Sequence, residues 1–423
     1  MNQLGEIGNP IAISGVGVIT PLGDSLDTLA TSLCTGYNGI LQTWQSAKDI
    51  PKINIASIPN FDPLKYSPVK GLRLLNRTTQ LGLCAAKLAL DDAKIYCDIN
   101  KQNNENHQTF DDVSDTYFDC NQIGLIGAFS FAHLPTLIKY DRSVVVEGLH
   151  KSNPALVPFS IPSAASSQIA LSLGLKALCF TISSGNTSSL EALNLATLLL
   201  QQKRARALVV VTSFSFCDEL LFSMSRASKF DTNYLPRPFD TNRKNIALGE
   251  AAAAVVLEPL SYAQQRDITP LTNLSGLSSA MAADNDEATE TLLNSCTHAI
   301  KQAGIDVNDI GVISASASGD IEIDRREADV ISCLYTNNDN ICPIITAIKG
   351  SIGETLETGG LLQTLVAAWS IRNSSVPAIA NLVNPETPLN YAQTKKVSVN
   401  TKHALITSTS HAGNAAALVI SNF

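Results

Sequence analysis

With 423 residues and a net charge of −8, the chain is long enough for two domains or one duplicated fold, and it lacks the basic excess that would draw it to nucleic acid or an anionic membrane. Its 45% hydrophobic and 16% charged content is that of a globular protein with apolar material for a large core. Nine cysteines contain no Cys-x-x-Cys pair, which argues against a zinc site, or any other metal centre, and against a disulfide framework.

In chain order, the stretch Met1 to Pro10 is polar and lacks the apolar segment of a signal peptide. Residues 11–19 (IAISGVGVI) form a β-branched run ended by Pro21 and Gly23, which predicts a strand. Residues 98–121 are polar and Asn/Asp-rich and are expected as an exposed excursion. The run Lys203-Arg204-Ala205-Arg206 is expected as a solvated cap on a helix end. Leu208 to Val211 and Ala252 to Leu257 are continuous apolar runs of buried-strand length. No apolar run approaches the roughly 18–20 residues that span a bilayer. With cysteines flanked mostly by apolar residues, a cytoplasmic protein with buried thiols is expected.

The pattern also repeats. A helix-like stretch over 78–95 leads through the polar insertion to the strand NQIGLIGAFSF, and a second over 288–305 leads to NDIGVISASASG. A helix followed by an Asn/Asp-x-Ile-Gly strand once in each half predicts a duplicated α/β fold. The halves are expected at 1–260 and 261–423, with the boundary near Pro259 to Thr269.

Four segments, taken together and in order, resemble the β-ketoacyl-acyl carrier protein synthases of the thiolase superfamily. They are residues 13–40 (ISGVGVITPLGDSLDTLATSLCTGYNGI), 70–90 (KGLRLLNRTTQLGLCAAKLAL), 157–176 (VPFSIPSAASSQIALSLGLK) and 237–258 (RPFDTNRKNIALGEAAAAVVLE). The last is the most specific, since the family signature runs Arg-Pro-Phe-Asp, Arg, Gly-Glu and then an apolar strand. The resemblance implies the thiolase fold, two βαβαβαββ halves in a five-layer α-β-α-β-α sandwich. It also implies decarboxylative Claisen condensation, which needs a Cys thiolate at a helix N-terminus, two His side chains and a Lys, and no cofactor.

Position by position, that chemistry is missing. The thiol position falls on Asn186 in the turn TISSGNTS, and Cys179, seven residues earlier, is expected inside the preceding strand as an inert core thiol. The first His position is Ser316, with Asp324 and Glu327 matching the family's acidic pair. The second is Glu354, in a Lys-x-x-x-Gly-His run that keeps Lys349 and Gly353. The gating loop, usually Gly-Phe-Gly-Gly, aligns with Ser410, His411, Ala412 and Gly413. A carboxamide has no ionisable nucleophile, and a carboxylate beside an enolate repels the developing charge.

Several of these residues have structural readings of their own. Asn186 suits a helix N-cap or a hydrogen bond toward a partner's substrate. Lys349 is expected to neutralise a buried carboxylate such as Glu250 or Glu327, Asp240 and Arg243 to pair, and His411 to be hydrogen-bonded. Phe129, Phe131 and His133 stand where the family has a glycine-rich turn at the mouth of its acyl pocket. They either fill that pocket or pack into the core. The resemblance thus implies a non-catalytic chain-length partner, heterodimeric with an active Cys-His-His ketosynthase. An acyl carrier protein is the second partner, with Lys65, Lys70, Arg73 and Arg77 as a local basic cluster for docking. A free-standing decarboxylase or hydrolase built on Ser316 or Glu354, and a homodimeric acyl-binding protein, are the alternatives. Aromatic polyketide, aryl polyene and other polyene products all remain open, since Asn186 departs from the Gln usual in aromatic systems.

Overall fold

The computed structural model describes residues 9–47, 52–67, 71–96, 119–226, 230, 234–335, 341–393 and 396–423. Ten strands form one continuous sheet. Five come from the first half: β1 (Ile11–Ile19), β2 (Ile123–Ala128), β3 (Cys179–Ile182), β4 (Ala207–Phe214) and β5 (Ala251–Pro259). Five come from the second: β6 (Thr272–Met281), β7 (Ile310–Ser314), β8 (Ile344–Thr346), β9 (His403–Thr409) and β10 (Asn414–Ser421). The spatial order is β8-β7-β9-β10-β6-β1-β5-β4-β2-β3.

Read outward from its middle, this order repeats itself. The first half runs β1-β5-β4-β2-β3 and the second β6-β10-β9-β7-β8, so equivalent strands take equivalent places. Polarity repeats too: two antiparallel pairings are followed by two parallel ones in each half. The halves join where Ile11–Ile13 pair antiparallel with Thr272–Leu274. The link from β5 to β6 carries the short helix Leu260–Gln265, and there we place the division between the halves.

Helices complete five layers. The helices used below are α1 (Leu26–Thr35), α2 (Arg77–Asp92), α3 (Leu134–Glu147), α4 (Ala164–Leu173), α5 (Ser188–Gln201), α6 (Ala288–Ala303), α7 (Ile321–Tyr335) and α8 (Gly359–Arg372). α2 and α4 cover the outer face of the first half-sheet, burying Leu81, Ala85 and Ile169 against Val209 and Ala254. α6 and α7 do the same for the second half with Leu292, Ala299 and Ile331. α5 and α8 fill the middle, and α8 is apolar and buried on nearly every side, as a central helix must be. In both halves a glycine of the first strand lets the outer helix lie on it. A Cβ at Gly17 would meet the Ala85 carbonyl oxygen at 2.0 Å, and one at Gly276 the Ala299 oxygen at 2.0 Å. The duplicated thiolase fold expected from the sequence is the fold observed.

Some local expectations need correction. Cys179 does lie in a strand, but β3 is the outermost strand of the sheet and the thiol is exposed, as is that of Cys333. Cys34, Cys84, Cys120 and Cys296 are the buried ones. Arg206 is not solvated: it is buried, with its guanidinium over the Tyr262 ring at 5.5 Å, while Lys203 and Arg204 are exposed. The polar excursion lies outside the described residues over 97–118; within it, Asp119 accepts the Asn121 N–H and caps the turn Cys120–Gln122. Among the described residues no helix is long and apolar enough to cross a membrane.

Candidate functional site

The turn between β3 and α5 carries Asn186. Gly185 takes a left-handed φ of +60°, open to it without strain. Two hydroxyls then close on one carboxylate: Ser184 Oγ donates to Glu191 Oε2 and Thr187 Oγ1 to Glu191 Oε1, both at 2.7 Å. Glu191, in the first turn of α5, thus ties the preceding turn to the helix. Asn186 does not cap the helix as expected. Its carbonyl accepts from Ser408 Oγ at 2.9 Å, and its carboxamide has no hydrogen-bond partner among the described residues.

Ser316, Lys349 and Glu354 are brought together, all three buried. Lys349 Nζ donates to Ser316 Oγ and to Glu354 Oε2, each at 2.9 Å, and Leu356 N–H donates to Glu354 Oε1 at 2.9 Å. The expected partners of Lys349 are therefore corrected. Glu250 belongs to Arg77, which reaches it through Nε at 2.7 Å and Nη2 at 2.8 Å. Glu327 feels the Lys349 charge but bonds elsewhere, accepting from Ser316 N–H at 2.9 Å and Thr407 Oγ1 at 2.6 Å. Thr407 and Ser408, consecutive on β9, so connect the acidic pair to the Asn186 turn.

Burial pushes the carboxyls of Asp324 and Glu327 up to about 7. Asp324 accepts the N–H groups of Phe239 at 2.9 Å, Ser318 at 3.0 Å and Gly319 at 3.1 Å, so the acidic pair fixes the loop after β7. The expected Asp240–Arg243 pair takes another form. Arg243 Nη1 donates to the Asp240 backbone carbonyl at 3.0 Å, whereas its charge faces Glu386 at 2.5 Å and Asp324 at 3.9 Å.

At the gate position, the buried Arg326 donates to the Ser410 carbonyl at 2.9 Å, and Gly413 turns the chain with φ +86°. His411 is hydrogen-bonded as expected, with Nε2 3.1 Å from Asp320 and Nδ1 3.3 Å from Glu322. Phe129 is fully buried and packs in the outer core against Gly82 and Gly127. Phe131 is half-buried, edge-on to Phe214 at 6.3 Å. His133 sits at the start of α3, where burial lowers its pKa. Of the expected basic cluster, Lys65 is paired with Asp24 at 2.8 Å and Arg77 with Glu250, so neither is a free docking cation; Lys70 lies outside the described residues.

One buried carboxylate at this site escaped the sequence reading. Glu357, fully buried, accepts the backbone N–H groups of Ser130 at 3.2 Å and Phe131 at 3.3 Å. Chemically, the turn before α5 presents the unionisable amide of Asn186. The site's lysine is held by a carboxylate, and its serine oxygen accepts a hydrogen bond from that lysine.

The Beta-ketoacyl synthase N-terminal domain model matches residues 8–263, and the C-terminal domain model matches residues 272–383. The chain belongs to the beta-ketoacyl synthase family. It is 24% identical over 388 residues to a 3-oxoacyl-[acyl-carrier-protein] synthase 2 of Coxiella burnetii, covering 89% of each chain. It is 27% identical over 413 residues to Nodulation protein E of a Rhizobium species, covering 93% of this chain and 95% of that one. Among solved structures, a beta-ketoacyl synthase from Burkholderia phymatum superimposes with a TM-score of 0.85 at 19% identity, covering 98% of this chain and all (100%) of that one. The ishigamide ketosynthase/chain length factor does so with a TM-score of 0.83 at 19% identity and the same coverage, 98% and 100%. These similarities carry the ketosynthase fold to this chain.

Proposed function

We propose that this chain is a non-catalytic subunit that pairs with an active ketosynthase and shapes the tunnel in which the partner's polyketide or polyene chain grows on an acyl carrier protein. The observation that carries this reading is the fate of the two imidazole positions. They hold Ser316 and Glu354, and the Lys349 ammonium bridges them in a buried, closed set of hydrogen bonds. Decarboxylation and condensation have no group left to act through.

A second observation supports a partner. The edge strand β3 leaves Phe180 44% exposed, and in the same half Leu171 is 73%, Val145 83% and Leu149 71% exposed. Helix α3 has no buried residue at all. A free sheet edge with exposed apolar side chains on it and on helices of the same half marks a surface that another chain covers. An active family member, built on the same sheet with the same free edge, is the occupant of matching shape.

Co-expression with the ketosynthase encoded beside this chain, followed by native mass measurement, tests the reading. A one-to-one complex is expected. A stable homodimer that ignores the ketosynthase, or turnover by this chain alone on malonyl- and acyl-carrier substrates, overturns it.

A further inference from the structure

We infer that Glu357 tethers the partner-facing loop 129–133 to the inactive site, making it a positioning residue that sets how far the tunnel extends; this rests on the subunit reading above. Glu357 lies in the short turn Leu356–Thr358 that leads into α8, the central helix of the fold. The backbone there is not relaxed. Leu356 holds a φ of +46°, a conformation a branched side chain avoids unless its surroundings impose it. That conformation allows one short segment to bond two ways, with Leu356 N–H donating to Glu354 and the next side chain reaching across to the other half of the molecule.

What Glu357 reaches is a loop with no regular structure of its own. Its Oε1 accepts both the Ser130 and Phe131 N–H groups. From the far side, Ser130 Oγ accepts the Gly185 N–H at 3.1 Å and lies 3.3 Å from Ser188 Oγ, so the same serine touches the turn that carries Asn186. The loop is therefore clamped between the second half's Glu357 and the vestigial nucleophile turn. It carries Phe129 and Phe131 and ends at His133, where the exposed helix α3 begins. Behind it a cavity of only about 20 Å³ remains, bordered by Asn76, Thr79, Ala132, His133, Thr136 and Gln168. Two N–H bonds to one buried carboxylate decide where the loop lies, and the loop decides where both Phe131 and the start of α3 lie. A site without chemistry keeps its buried polar groups because they position this surface.

The test uses the complex of this chain with its ketosynthase and reads two things. Amide hydrogen exchange at Ser130 and Phe131 reports the tether directly. The length distribution of products, by mass spectrometry, reports the tunnel. For Glu357→Ala, exchange at both amides is expected to quicken by about tenfold or more, the change a lost bond of ordinary strength produces. Products are expected to lengthen or spread, with the one-to-one complex intact. Glu357→Gln keeps an acceptor oxygen in place and is expected to match the parent in both readouts. Should Glu357→Ala fail to fold, Glu357→Asp withdraws the carboxylate by one methylene and is expected to give the same two changes. Faster exchange with an unaltered product distribution overturns the inference while leaving the subunit reading intact. Failure of the unaltered chain to form the complex overturns both.

Discussion

Lys349 Nζ stands 2.9 Å from Glu354 Oε2 with the two side chains 1% and 7% exposed, so the two form a buried ion pair. The pair is closed off by Ser316 Oγ on one side and the Leu356 N–H on the other. A buried charge so enclosed is tolerable only while its counter-charge is present.

Removing one partner is therefore expected to be far worse than removing both. Lys349→Met or Glu354→Gln alone should cost about 3–5 kcal/mol, since each leaves a buried, unmatched group. The double variant Lys349→Met/Glu354→Gln should recover most of that loss. Urea midpoints of the four proteins give the coupling; a double variant as unstable as the sum of the singles contradicts the pairing.

A thiol placed at position 186 separates position from chemistry. Asn186 precedes α5, and the first-turn amides of a helix favour a thiolate there. Asn186→Cys is expected to be alkylated by iodoacetamide at residue 186, located by peptide mass mapping so that the exposed Cys179 is not mistaken for it. Condensation is expected to stay absent, because Ser316 and Glu354 supply no imidazole. Product formation by this single variant would contradict the account of the site.

The sequence made the layered fold legible because its signals are local and repeated. Strand runs and the helix–strand echo are set by neighbours along the chain. That Ser316, Lys349 and Glu354 are worth naming was legible for the same reason, each sitting within a short ordered motif, and the structure brings these three together. What Lys349 pairs with was not legible, because the sequence offers several carboxylates and only tertiary geometry selects Glu354 over Glu327 and Glu250. Glu357 was missed because its partners are backbone N–H groups more than two hundred residues away (|i−j| of 227 and 226), which leave no mark on composition or spacing. The exposure of Cys179 follows from the strand order, which puts a short strand of apolar character at the sheet edge.

Stability should depend on pH through the buried carboxyls. Burial pushes Glu357 from its ordinary 4.5 up to about 7, with the nearby Glu354 charge acting in the same direction. A carboxyl whose folded value exceeds its unfolded one holds an extra proton in the folded chain between the two values. Its stabilising contribution is full below pH 4.5 and is lost as pH rises to about 7, a change on the order of 3 kcal/mol. Urea midpoints should therefore fall from pH 5 to pH 8. Glu357→Gln, which cannot ionise, should show a shallower fall and exceed the parent at pH 8, with Asp324 and Glu327 accounting for the remaining slope. A parent chain whose stability rises over that range contradicts the assignment.

Phe129 and Phe131 should separate cleanly on truncation. Phe129 is fully buried against Gly82 and Gly127, so Phe129→Ala should open a cavity and cost about 3–5 kcal/mol. Phe131, half-buried against the edge of Phe214, should lose clearly less on the same change. Thermal melts of the two variants check the order. Equal losses would mean that both rings are core residues and that neither is available to shape a tunnel.

The exposed apolar edge gives the prediction most direct for assembly. Leu171 lies on α4 and Phe180 on β3, and neither contributes to the core of the isolated chain at 73% and 44% exposure. Leu171→Asp and Phe180→Asp should thus leave the urea midpoint of the free chain within about 0.5 kcal/mol of the parent. In the complex each would place a desolvated, unpaired charge at the centre of an apolar contact, where a loss of several kcal/mol is expected. Native mass of co-expressed partners should show the one-to-one species depleted for each variant and absent for the double. A complex that survives the double substitution would mean the ketosynthase meets this chain on another face, and the free edge of β3 would then need a different cover.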